Sequence, residues 1–165
     1  MEVTVLTNGL ASSNHSSSHS DYMPVRKPLL KQGVELYERR ANLNEPADNK
    51  LPKGAPATTL HAKAFAVDGK SVFIGSFNWN QRSVNRDTEL GVIIHSPQLA
   101  NEMVERVRRA LPEHSFRVSL NESNDLRWTV LENGREVDVK KESQTGFWER
   151  FSAGFMGILP IRSQF

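Results

Sequence analysis

The chain has 165 residues, the length of one domain of ordinary size. Its 21 Lys and Arg residues stand against 19 Asp and Glu, a formal net charge of +2 spread along the chain, which neither favours nor excludes an anionic partner. It contains no Cys, which excludes disulfides and thiolate metal sites. No basic start precedes an apolar run, and no apolar stretch reaches about eighteen residues, so we expect neither a secretory signal nor a membrane span.

The first forty residues predict two strands separated by a loop and a short helix. Alternating apolar residues predict a strand over residues 3–6, so the chain enters a sheet almost at once. The segment ASSNHSSSHSD, residues 11–21, is rich in Ser and predicts a mobile loop, either a solvated linker or the rim of a site. Residues 24–33 predict a helix, with Pro in its first turn and Gly after its last. Alternation in VELYE, residues 34–38, predicts the second strand.

A polar, Pro-containing loop over residues 41–57 leads to the second half of the predicted fold. Hydrophobic patterning beyond it predicts three strands and a helix, which cover residues 60–67, 71–76, 88–95 and 97–110 in that order. Ser96 is the expected N-cap of the helix, whose apolar stripe should pack on the sheet. Strands alternating with helices indicate an α/β domain in which a mixed β-sheet lies between α-helices.

The sequence LHAKAFAVDGKSVFIGSFN, residues 60–78, places charged residues in an apolar, strand-like run, where unpaired charge is costly. Alternation puts His61 and Lys63 on one face of the first strand. Asp68 and Gly69 form the dipeptide typical of a type I′ turn between two strands. A purely structural interpretation is open for each charged residue: a hydrogen-bonded sheet histidine, a lysine whose head reaches water, and an aspartate that serves the turn.

Further polar residues weaken that structural interpretation. Ser76 and Asn78 follow the second strand, and Glu89 lies near the start of the next one. A neutral imidazole is nucleophilic, an ammonium stabilises negative charge, and Ser and Asn offer uncharged donors; together these suit attack on a phosphodiester. We expect Glu89 to accept the second ring N–H of His61 and so hold its tautomer.

The spacing of these residues resembles the signature of the phospholipase D superfamily: His61-x-Lys63-x4-Asp68-x6-Gly75-Ser76-x-Asn78. Together with flanking segments such as VTVLTNGLASS and FWERFSAGFMGILPIRSQF, it makes the chain similar, nearly end to end, to the C-terminal half of bacterial cardiolipin synthase-like proteins. The resemblance implies a phospholipase D-like lobe over residues 1–122, one half of the usual two-lobed enzyme. Residues 123–165 would then form a strand-and-helix extension, packed on the lobe or at a membrane surface.

The same resemblance implies roles for individual residues. It implies a catalytic set of His61, Lys63, Asp68 and Glu89, with His61 as the phosphohistidine nucleophile or as the acid, and Asp68 in support. The phosphate ligands would be Lys63, Ser76 and Asn78. Neither a metal nor another cofactor is implied.

This chain carries one motif, whereas the resembling synthases bring two together in one site. No other His has a Lys two residues after it. We expect a second motif-bearing lobe from the N-terminal half of a longer enzyme, which the abrupt start inside a strand favours, or from a second copy of the chain. A folded but inactive remnant that serves as an interaction module is the third interpretation.

The resemblance further implies phosphatidyl transfer or hydrolysis on a phosphatidylglycerol-like phospholipid, in cardiolipin synthesis. The expected location is the bacterial cytoplasm, peripheral to the inner membrane. A homodimeric nuclease-like phosphodiesterase is the alternative, but basic residues are not clustered, which argues against a nucleic-acid partner.

Two other segments bear on a lipid substrate. Apolar residues of the tail, 146–159, fall on one helical stripe. We expect an ordinary helix docked on the domain, and the alternative is an interfacial helix laid into a bilayer surface. For His19, Tyr22 and Arg26 we expect surface polarity, and the alternative is that Arg26 meets a head-group phosphate.

Overall fold

The computed structural model describes residues 1–13, 16–52, 54–78, 81–139, 142, 144–148 and 150–152. They belong to two compact units, one built from the described residues of Met1–Leu60 and Leu111–Leu159, the other from those of His61–Ala110. Strands and helices occur in both units, which confirms the expected α/β class. The strands form two sheets, although the sequence predicts one. Within the described residues, no helix is both long and apolar enough to cross a bilayer.

The first unit contains a five-stranded mixed sheet. Numbered along the chain, its strands are β1 (Thr4–Asn8), β2 (Glu35–Arg39), β6 (Ser115–Leu120), β7 (Leu126–Glu132) and β8 (Arg135–Val139), in that spatial order. β1 and β2 are parallel, and the other neighbouring strands are antiparallel. A parallel pair needs a crossover connection. Helix α1 (Ser16–Tyr22), a 3-10 turn (Met23–Val25) and helix α2 (Arg26–Lys31) supply it.

The hydrophobic core of this unit lies on one face of that sheet. Leu36 of β2 pairs with Val118 of β6, and Val118 pairs with Trp128 of β7. All three are buried, and Phe116 and Val130 continue the same cluster on neighbouring positions. Residues two apart in a strand point to the same face, so the alternation of β2, β6 and β7 builds one apolar layer. The predicted boundary at residue 122 lies between β6 and β7, which are paired in this sheet.

The second unit contains an antiparallel three-stranded sheet, β3 (Lys63–Val67), β4 (Ser71–Gly75) and β5 (Gly91–His95), with β4 in the centre. Helix α3 (Gln81–Asn85) lies between β4 and β5 in sequence, and α4 (Pro97–His114) follows β5. The turn between β3 and β4 is the predicted one. Asp68 and Gly69 have φ of 52° and 62°, as a type I′ turn requires, and the Lys70 N–H donates to the Val67 carbonyl at 2.9 Å.

Most predicted elements are present, with shifted ends. Ser96 caps α4 as predicted, since its hydroxyl accepts the Leu99 N–H at 3.2 Å, and the helix runs four residues past the predicted Ala110 to His114. β3 begins at Lys63 and β5 at Gly91, so His61 and Glu89 lie just ahead of their strands rather than within them.

The predicted loop over residues 11–21 is wrong in its second half, where α1 forms. Serine is a weak helix former, so composition predicts a loop. Tertiary packing overrides this preference because His19 and Ser20 are buried, at 2% and 5% exposure, and Tyr22 packs against the core cluster. Helix stability in proteins comes mainly from such packing rather than from intrinsic propensity.

Candidate active site

His61 and Lys63 lie together at the edge of the second unit's sheet. The Lys63 Nζ is 3.1 Å from His61 Nε2 and 3.2 Å from Nδ1, and it donates to the His61 carbonyl oxygen at 3.1 Å. His61 is exposed and Lys63 is half-buried. The two side chains are therefore adjacent, as expected, with the imidazole open to solvent and the lysine ammonium beside it.

Strand pairing brings the second group of polar residues to the same place. Lys63 pairs with Gly75 across the β3–β4 ladder, so Ser76 and Asn78 follow β4 at the end where β3 begins. Gly75 allows a close approach between strands, because a β-carbon there would lie 2.6 Å from the Leu90 carbonyl oxygen. Glycine is the residue expected where two backbones come this near.

Glu89 has a different partner from the one predicted. Its carboxylate accepts the Ser76 hydroxyl in a short hydrogen bond, and the Leu90 N–H donates to the same hydroxyl oxygen at 3.0 Å. The Ser76 N–H donates to the Leu90 carbonyl at 2.9 Å, which ties the end of β4 to the start of β5. In the structure Glu89 thus orients Ser76, whereas the predicted hydrogen bond joined it to the His61 ring.

One cavity collects these side chains. It has a volume of about 580 Å³ and is lined by the predicted residues His61, Lys63, Ser76, Asn78 and Glu89. Asp68 is not among its lining residues, because it sits in the turn at the opposite end of β3 from Lys63. The structure therefore gathers five of the six predicted site residues and leaves Asp68 as a turn residue.

Sequence reasoning missed two cavity residues, Asp87 and Thr88. They directly precede Glu89, and their polarity in the segment leading to β5 was the available signal. Asp87 adds a second carboxylate to a cavity that also holds Lys63. Within the described part of the chain, no cluster of three or more His, Cys, Asp or Glu side chains could hold a metal ion.

Comparison with known protein families gives a match that contains the residues of this cavity. Residues 1–111 match the family described as cardiolipin synthase, PLD-like domain. The chain belongs to this family. The match contains the whole of the motif and both of the newly found cavity residues.

Individual relatives extend the similarity along nearly the whole chain. Cardiolipin synthase C of Escherichia coli (strain K12) is 34% identical over 98% of this chain, which corresponds to 34% of that protein's length. Uncharacterized proteins of Helicobacter pylori strains J99 and 26695 are 29% and 28% identical, also over 98% of the chain and 32% of their own lengths. The chain spans about a third of the length of these curated relatives. No solved protein structure matches it.

In this cardiolipin synthase-like chain, two of the three residues predicted as surface polarity, His19 and Arg26, are buried, and Tyr22 is half-buried, so that prediction is wrong. Arg26 is 1% exposed and His19 is 2% exposed, and both lie in the first unit. Arg26 Nη2 is 2.6 Å from Glu142 Oε1 and 2.5 Å from His19 Nε2, while Arg26 Nε is 3.2 Å from Glu38 Oε1. A head-group phosphate would have to displace these carboxylates from a side chain that solvent barely reaches.

Arg26, His19, Glu38 and Glu142 form a buried polar cluster. It is completed by hydrogen bonds to Glu38, which accepts from Tyr22 Oη at 3.0 Å and from Trp128 Nε1 at 2.9 Å. Burial, and then the neighbouring Glu38 carboxylate, raise the pKa of Tyr22, so it stays a neutral donor. Burial opposes the charged form of Arg26, but Glu38 and Glu142 outweigh it and raise the pKa of the guanidinium. These contacts join the crossover helices to β2, β7 and the segment at residue 142.

Stability of the first unit should fall in acid through Glu142. Burial opposes its ionisation, but the hydrogen bond with His19 and the charge of Arg26 outweigh burial and lower its pKa below the ordinary 4.5. A carboxyl whose pKa is lower in the folded state contributes stability above its unfolded pKa, and this is lost as the pH falls through the folded value. We expect the free energy of unfolding to decrease as the pH is lowered below about 4.5.

Urea titrations at several pH values measure this dependence. In Glu142→Gln the protein should be less stable at pH 7, and the difference from wild type should shrink toward acid. Glu122→Gln, at an exposed position, is the matched control and should follow the wild type throughout. An unchanged gap between Glu142→Gln and wild type down to the acid limit would contradict the prediction.

Proposed function

We propose that this chain provides one motif-bearing half of a phosphatidyltransferase active site that acts on a phosphatidylglycerol-like phospholipid in cardiolipin synthesis. One observation carries the proposal: His61, Lys63, Ser76, Asn78 and Glu89 line a single cavity. This set combines a nucleophile, a cation and uncharged donors, the groups that attack on a phosphodiester needs. The family match and the similarity to cardiolipin synthase C support the lipid substrate.

In the proposed reaction a ring nitrogen of His61 attacks the phosphorus of the donor lipid. The N–P bond forms as the P–O bond to the leaving alcohol breaks, and a general acid gives that alcohol its proton. The hydroxyl of the acceptor then attacks the phosphorus, returns a proton to the same group and releases His61. We assign the general acid to the histidine of a second motif; the two histidines exchange roles if His61 is the acid.

Lys63 and Asn78 are the proposed donors to the phosphate. The Lys63 ammonium neutralises charge that builds on the phosphoryl oxygens. Ser76 has one hydroxyl hydrogen, and it is donated to Glu89. Ser76 therefore has to release Glu89 before it can donate to the phosphate, and until then it holds the carboxylate at the cavity wall. Asp68 supports the site indirectly by forming the turn that sets the β3–β4 pairing.

The second motif has to come from another lobe, either an N-terminal half or a second copy. Large apolar side chains are exposed on both faces of the β3–β4–β5 sheet. Phe65, Val67 and Ile93 share one face, at 44% to 64% exposure, and Ile74 and Val92 lie on the other, at 50% and 57%. An exposed apolar surface of this kind marks an interaction site in a protein. A second motif-bearing lobe that covers part of this sheet would complete the cavity with its own histidine.

The proposal places the chain in the bacterial cytoplasm, at the surface of the inner membrane, because its substrate is a bilayer lipid. Substrate class is tested by incubating the protein with vesicles of head-group-labelled phosphatidylglycerol and, separately, with plasmid DNA. We expect release of labelled glycerol and no nicking. Turnover should require a homodimer or a complex with a co-expressed N-terminal half, and the mass in solution identifies which of these species is active. Plasmid nicking without glycerol release, or turnover by a strict monomer, would contradict the proposal.

A further inference from the structure

The C-terminal segment of the described chain exposes an aromatic cluster. Phe147, Trp148 and Phe151 are 65%, 75% and 55% exposed. Their rings contact one another, with centroids 5.5 Å apart for Phe147 and Trp148 and 6.0 Å apart for Trp148 and Phe151. The described part of this segment therefore does not match the expectation of an ordinary helix whose aromatic face is docked on the domain.

Cations flank this cluster. The exposed Lys50 ammonium lies beside the start of the segment, so close that a β-carbon at Gly146 would be 2.6 Å from its Nζ. Arg150 follows within the segment, and its Nη1 donates to the Thr145 carbonyl at 2.7 Å, which holds the side chain next to the chain's own turn. A positive charge beside exposed aromatic rings fits a surface that presents both apolar chains and anionic head groups.

The sequence that follows the described residues is also mostly apolar. Residues 153–165 read AGFMGILPIRSQF, with six large apolar residues, one Arg and no acidic residue. Apolar residues with a single Arg and no acidic residue suit the interface of an anionic bilayer. The remaining part of the predicted helical stripe, up to residue 159, lies outside the described residues.

We propose that residues 146–148 and 150–152, together with Lys50, form a membrane-contact patch that binds the surface of bilayers containing anionic phospholipid. Trp148 and its two Phe neighbours enter the interface between head groups and acyl chains, and the exposed Lys50 ammonium meets lipid phosphates. The proposed lipid substrate supplies the reason for this chain to contact a bilayer, and the patch rests on the proposed function in that respect alone. Binding to a bilayer is measured without turnover, so the two proposals fail separately.

Sedimentation of the full chain with vesicles tests the patch. We expect binding to vesicles of equal parts phosphatidylglycerol and phosphatidylcholine, and weaker binding to pure phosphatidylcholine. Trp148→Ser should weaken binding about tenfold, because part of a large aromatic side chain no longer leaves water. Val84→Ser removes an apolar residue of 59% exposure from the second unit and is the matched control, with binding unchanged. Lys50→Glu should weaken binding to the anionic vesicles only.

Quenching by lipids brominated in the acyl chain provides a second readout. The wild-type tryptophan fluorescence should be quenched, whereas Trp148→Phe should bind nearly as well and lose that quenching. Wild-type affinity in Trp148→Ser would overturn the proposal, as would loss of a homodimer in that variant with vesicle binding unchanged. Vesicle binding that depends on Trp148, without glycerol release, would overturn the proposed function and leave the patch standing.

Discussion

His61→Ala should abolish phosphatidyl transfer in the dimer or complex that carries the activity. Removing the nucleophile, or the acid that serves it, typically costs at least roughly a thousandfold in turnover, because the covalent route is lost. His61 is exposed at the cavity, so the substitution leaves no buried group without a partner and the fold should persist. The measurement is release of labelled glycerol from phosphatidylglycerol vesicles under single-turnover conditions.

His95→Ala is the matched control for that experiment. His95 is also an exposed histidine of the second unit, but it lies in β5, where its ring contacts the Ser71 hydroxyl at 2.9 Å, and it does not line the cavity. Its turnover should equal that of wild type. Lipid labelled with radioactive phosphorus should leave an acid-labile label on the wild-type chain and none on His61→Ala. A His61→Ala variant that retains full turnover in a homodimer would show that the assignment of His61 is wrong.

Arg26→Leu should destabilise the first unit by about 3–5 kcal/mol, the usual cost of removing one partner from a buried ion pair. The loss would leave the Glu38 and Glu142 carboxylates buried, at 3% and 8% exposure, without their shared cation. Much of the effect comes from those unpaired charges rather than from the contacts of the guanidinium itself. Urea unfolding followed by tryptophan fluorescence measures it.

A matched surface pair separates burial from charge. Arg127 forms an ion pair with Asp138, but both side chains are largely in reach of solvent. Arg127→Leu should therefore leave the urea midpoint almost unchanged. In the Arg26→Leu background, Glu142→Gln should recover part of the stability because it removes one uncompensated charge. Equal midpoints for Arg26→Leu and Arg127→Leu would show that the buried cluster contributes nothing specific.

Local features of this protein followed from short stretches of sequence. The Asp68-Gly69 turn, the Ser96 cap and the alternation of β3 and β4 each depend on residues within a few positions of one another, so local sterics and hydrogen bonding decide them. Local sequence likewise determines much of the candidate site. Once β3 and β4 are joined by a tight turn, their register brings Lys63 and the residues after Gly75 to one end of the sheet.

Long-range partners did not follow from the sequence. Glu89 lies 13 residues from Ser76, and either the imidazole or the hydroxyl was a chemically reasonable partner; the pairing of β4 with β5 selects the hydroxyl. The burial of α1 likewise depends on strands that come much later in the chain. A stretch rich in Ser carries no local sign that β2, β7 and residue 142 will enclose it.

By itself, the sequence determined that His61, Lys63, Ser76 and Asn78 come together at one end of the β3–β4 pair, because alternation and a two-residue turn act over a few positions. Only the tertiary structure decided that Arg26 is buried between carboxylates, one of which lies 116 residues away. The same holds for the aromatic rings near residue 148, which are exposed. Burial depends on which distant segments meet, and hydrophobic patterning describes a face without naming what covers it.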